Sequence, residues 1–128
     1  MYCNEGRMPM ETVYHCGRLL WHRVDRASGF FGRFRGLMGR HRLTPGEGLI
    51  LSPCNQVHTF CMRWPIDVLY LTKDLRVLRV ETLSPGRIGP RVKGARLVLE
   101  VEAGSAGDIG AGDRLTIVKD NRQRRSNG

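Results

Sequence analysis

The stretch RLVLEVEA, residues 96–103, sets Leu97, Leu99, Val101 and Ala103 against Arg96, Glu100 and Glu102. Such alternation fits a strand with one face buried and defeats a helix, whose apolar positions recur every three or four residues. Further short apolar runs follow the same logic: RLLWHRV at 18–24, GLIL at 48–51, IDVLYLT at 66–72, RVLRVETL at 76–83 and RLTIV at 114–118. The 16 glycines and 6 prolines fall mostly between these runs, where turns are needed. The pattern predicts a mainly β protein, a compact and mostly antiparallel barrel-like sandwich.

At 128 residues the chain suits one domain with a single core. Residues 1–16 show no period and are expected to be irregular, 17–119 to form the β-rich domain, and the basic tail 120–128 to be disordered. One helix is expected at about 29–39. Ser28 can cap it, and Phe30, Phe31, Phe34, Leu37 and Met38 recur at helical offsets with Arg33 and Arg40 turned outward. TPGEG, 44–48, and Lys73-Asp74 read as turns, and SPGRIGPRVKGA, 84–95, as a loop.

No apolar run reaches the ~20 residues that span a bilayer, and the first residues hold no apolar leader, so a cytoplasmic protein is expected. The four cysteines form no C-x-x-C pair, which makes free thiols the expectation. The net charge of +9 divides into +5 over 1–44 (8 basic, 3 acidic), +1 over 45–118 (9 and 8) and +3 over 119–128 (4 and 1). A nearly neutral body with charged ends supports nonspecific nucleic-acid contact at low salt, not a dedicated interface.

The segment HTFCMRWPID, 58–67, carries most of the chemistry. Read as one strand, it places His58, Phe60, Met62 and Trp64 on one face, with Pro65 marking an edge, a bulge or a switch between sheets. An aromatic before Pro65 favours a cis bond more than average, with trans still expected. Cys54, His58 and Cys61 are three soft ligand types, but strand geometry turns Cys61 away from the other two and no fourth ligand follows. No metal and no cofactor is therefore expected. His58 and Cys61 as base and nucleophile fail on the same geometry. Asp67, between Ile66 and Val68, needs a partner if buried, and Arg35, Arg63 or a turn N–H can supply one. Arg63–Asp67 as a structural salt bridge is preferred to a catalytic acid. Gly112-Asp113 reads as a turn whose carboxylate bonds its own backbone.

RFRGLMGR (33–40), the HTF-x-MR-x-PID-VLYL segment (58–71) and a late AG-x-A with a following GD resemble the family called domain of unknown function 192, or uncharacterised protein family 0127. The resemblance covers residues 18 to 118 and implies a small barrel-like β sandwich whose R-G-L-M segment is the short helical element. It implies no reaction. The family pattern has a glycine at the position of Cys61, a phenylalanine at that of Trp64, and a K-P-W-R-like stretch where this chain has SPGR, 84–87. Cys61 is thereby removed as an obligatory nucleophile.

The expected function is a non-enzymatic binding or accessory module whose shallow cleft, near the HTFCMRWPID segment, is expected at Arg35, Met38, Phe60, Met62, Arg63, Trp64 and Asp67. The partner would be a small molecule, a peptide or a protein, and the chain a monomer. Two alternatives stay open: a hydrolase-like enzyme using Asp67 with His58 or Arg63, and a basic nucleic-acid accessory protein. Converging titratable groups in an open pocket would mark the first, a continuous positive face the second.

Overall fold

The computed structural model describes residues 10–27, 42–60 and 62–119. Seven strands follow in chain order: β1 (Glu11–His15), β2 (Arg18–Ala27), β3 (Glu47–Leu51), β4 (Ile66–Leu71), β5 (Val77–Leu83), β6 (Leu97–Glu102) and β7 (Thr116–Lys119). They form one sheet in the order β5-β4-β6-β3-β2-β1-β7. Every pairing is antiparallel except β2–β3, which is parallel. The protein is mainly β, as its alternation predicts, and the sheet is mixed and open, with β5 and β7 at its edges. The expected helix at 29–39 lies outside the described residues.

Two hydrophobic clusters cover the two faces of the sheet. The first gathers Trp21, Val24, Ile50, Leu69, Leu71, Leu99 and Val101 with Ala106, Ile109 and Leu115 of the segment after β6. The second gathers Leu51, Ile66, Val68, Tyr70 and Val98 under Val57 and Ala95 of the loops. Strands β4 and β6 lie between paired neighbours and take side chains from both clusters, so neither keeps a solvent face. This corrects the half-buried reading of RLVLEVEA: Glu100 is only 1% exposed. Alternating polarity identified the strand, but what covers each face decided burial.

Residues 11–15, expected to be irregular with the rest of 1–16, form β1. Neighbours on both sides stabilise this strand, since it pairs with β2 and with β7. Cys16 and Gly17, both at positive φ, make the two-residue turn into β2. Glu11 is buried and accepts two hydrogen bonds from Arg26, at 2.7 and 2.9 Å. These bonds, against the opposing cost of burial, hold the Arg26 guanidinium protonated above its ordinary range.

The turn readings hold. Gly46 has φ +87° and its carbonyl accepts the N–H groups of His22 and Arg23 at 3.0 and 2.9 Å, fastening TPGEG to β2. Asp113 accepts the Gly110 N–H at 2.9 Å, the local carboxylate bond expected of a turn residue.

Candidate functional site

The described residues of the segment 58–65 form no strand. Among these residues the ladder contact is a single bridge, His58 with Ile88, and regular pairing begins at Ile66, after Pro65. Thr59 organises this loop. It is fully buried, its hydroxyl donates to Ser84 O at 2.6 Å and accepts from Arg87 N–H at 2.8 Å, and its own N–H donates to Arg87 O at 2.8 Å. The same residue's carbonyl accepts from Gly86 and Met62. A buried threonine thus ties the 58–64 loop to the 84–88 loop.

That arrangement splits the aromatic stripe expected along positions 58 to 64. The ring of Phe60 stacks on His58 with centroids 4.9 Å apart, and Phe60 is 44% exposed. Met62 and Trp64 turn instead toward a small cleft of about 80 Å³. Among the described residues its apolar lining is Leu43, Met62, Pro65, Ile66 and Ala103, its polar lining is Arg42 and Glu102, and Trp64 adds an aromatic ring. The Arg42 guanidinium carbon sits over the indole, 5.6 Å from the ring centroid, within cation–π range.

Register explains why these residues meet. Ile66 of β4 faces Glu102 of β6 as a cross-strand partner, so both side chains leave the same face at the end of the pair. Arg42 and Leu43 arrive just before the TPGEG turn. Neither Arg42 nor Glu102 was singled out from sequence, because nothing local shows that β4 and β6 are neighbours with this register.

Asp67 points the other way. It is 4% exposed, one oxygen accepts the Thr82 hydroxyl at 2.6 Å, and the other accepts the N–H groups of Gly104 and Ala106 at 2.9 and 3.1 Å. The donor is a turn N–H, one of the expected options, and not Arg63, which is exposed. The three bonds hold the 103–108 turn against β4. Since Ile66 and Ala103 adjoin these anchors, Asp67 fixes the cleft wall from behind without lining it.

Of the expected site residues, Met62 and Trp64 line the cleft, while Phe60, Arg63 and Asp67 do not. Arg35, Met38 and Cys61 lie outside the described residues. The cis bond recorded is Ser52-Pro53, and Trp64-Pro65 is trans. Among the described residues no three His, Cys, Asp or Glu side chains gather in a metal-binding group. No helix among them is long and apolar enough to cross a membrane.

A second polar group lies on the same face of the sheet, farther from the cleft. The buried Tyr70 hydroxyl donates to Glu81 at 2.7 Å, and Arg79 donates to the other oxygen of that carboxylate at 3.1 Å. Burial, reinforced by Glu81, pushes the Tyr70 phenol well above its ordinary range. With its proton committed to Glu81, Tyr70 serves as a core side chain.

The family model DUF192, described as "Uncharacterized ACR", matches residues 12–117. A "UPF0127 protein" of Thermococcus sibiricus is 31% identical over 96 residues, covering 69% of this chain and 60% of the relative's length. The chain thus spans less than two thirds of that relative. A crystal structure of a protein of unknown function from Novosphingobium aromaticivorans superposes with a TM-score of 0.68 at 24% identity, covering 83% of this chain and 82% of the other. A Sinorhizobium meliloti structure, described as that of a proposed transcription regulator, gives a TM-score of 0.62 at 21% identity over 88% and 97%. At these identities the two structures speak for a shared fold.

Proposed function

The chain belongs to the DUF192 family of uncharacterized proteins, and from that premise we propose that it is a binding module whose recognition site is the Trp64 cleft. One observation carries the reading. Glu102 lines the cleft beside Trp64, and its carboxylate has no hydrogen bond or ion pair among the described residues. An aromatic face and an uncommitted charge sharing one concave site are what a ligand uses for contact area and orientation.

The hydrolase alternative loses support from the same geometry. Both oxygens of Asp67 are occupied by Thr82, Gly104 and Ala106, so neither His58 nor Arg63 is its partner. A general acid or base needs an oxygen within reach of substrate, and Asp67 faces a turn. Nucleic acid is likewise a poor occupant of this cleft, because a phosphate would meet Glu102. The exposed free thiol of Cys16 agrees with a reducing, cytoplasmic setting.

The two tryptophans provide the test. Trp64 lines the cleft, whereas Trp21 is buried and donates its indole N–H to Ser105 at 3.2 Å. In a fragment screen followed by ¹H–¹⁵N correlation spectra, binders should move the Trp64 indole resonance and leave that of Trp21 in place. Hits that cluster elsewhere, with Trp64 unmoved, would defeat the proposal.

A further inference from the structure

We infer that the cleft is a seat for a cationic side chain, a guanidinium or ammonium presented by a partner peptide, and that Arg42 is its internal stand-in. This rests on the reading of the Trp64 cleft as a recognition site.

The indole already holds a cation. Arg42 lies 5.6 Å from the ring centroid, near the outer limit of such contacts, and its side chain is exposed. A loose, solvent-facing contact of this kind is weak and readily exchanged. The carboxylate in the same cleft is not engaged by that arginine: no ion pair within 4.0 Å joins Arg42 to Glu102. Arg42 therefore satisfies the ring and leaves the charge.

An incoming cation can do both. Its head would lie against Trp64 and donate to Glu102, while its methylene stem rests on Met62 and Ile66. The cleft, at about 80 Å³, is several times the ~10–15 Å³ that one water needs on the same measure, so it has room for a small polar head. An anion would instead have to draw Arg42 off the ring and accept Glu102 as a neighbour.

Acetyl-arginine amide is the probe, with acetyl-citrulline amide as its neutral near-isostere, titrated while the Trp64 indole resonance is followed. The arginine compound should bind at least tenfold more tightly than the citrulline one, and Glu102→Gln should abolish that preference. Arg42→Ala should tighten arginine binding severalfold, because the internal competitor is gone. Loss of arginine binding in Arg42→Ala would overturn the inference, and so would preference for acetate over the arginine probe, which would identify an anion site instead. Fragments that shift Trp64 while neither amide binds would overturn it and leave the recognition site standing. Failure of every compound to move Trp64 would remove both. An arginine-containing peptide that binds no better than free arginine would locate the ligand among small molecules and overturn the peptide assignment. Unchanged thermal midpoints in both variants show that the fold is intact.

Discussion

Two carboxylates stand back to back at the end of the β4–β6 pair, and their surroundings are opposite. Asp67, on the face that carries Leu69 and Val101, is buried and accepts three hydrogen bonds. Glu102, cross-strand partner of Ile66 on the other face, borders a cleft and accepts none through its carboxylate among the described residues. A buried carboxylate without donors would be very costly, so Asp67 must be built in; a carboxylate that water still reaches has no such requirement. The difference separates what holds the fold from what remains for a ligand.

The largest effect should come from Asp67→Ala, which leaves the Thr82 hydroxyl and two backbone N–H groups without their acceptor. We expect a loss of about 3–4 kcal/mol, read as a lower urea midpoint at unchanged slope. A loss below about 1 kcal/mol would mean that the 103–108 turn does not depend on Asp67, and the contrast would fail.

Tyr70→Phe should cost about 1–2 kcal/mol at neutral pH through the lost bond to Glu81. Its pH dependence has a definite sign. The folded pKa is raised above the unfolded value near 10, so the phenol's contribution is complete below that pH. Above it the unfolded chain ionises while the folded one resists, and stability falls. The gap in Tm between wild type and Tyr70→Phe should therefore narrow as pH rises from 9 to 11. A constant gap would show that Tyr70 ionises as freely folded as unfolded.

The smallest effect belongs to Glu102→Gln, expected to change stability by no more than about 0.5 kcal/mol. If it destabilised the protein as much as Asp67→Ala, Glu102 would be part of the scaffold.

Much of this was legible in the chain. The punctuated short runs gave a mainly β fold, and TPGEG and Gly112-Asp113 gave turns whose bonds are local and hence readable. Asp67 raised the right question, since its position between Ile66 and Val68 demanded a partner, but the donors come from 37 and 39 residues later. Arg42 and Glu102 were missed for the same reason, their meeting being a matter of strand order. The parallel β2–β3 pair was equally hidden, because an alternating run carries no direction. His58, Phe60, Met62 and Trp64 were assigned to one face on the premise of an unbroken strand. Thr59 breaks that premise, and a buried threonine inside an apolar run does not announce its bonds.

The pairing of β1 with β7 has a consequence for how the chain is made. Glu11 and Lys119 are register partners, so β1 finds its outer neighbour only when β7, at the other end of the described fold, has emerged. Until then β1 offers an open row of peptide groups to any passing strand. Such late closure is slow, because the contact with the greatest separation along the chain is the one that seals that edge. A permuted chain, with these two strands joined directly and new ends opened in the 84–95 loop, would turn the most distant pairing into a hairpin.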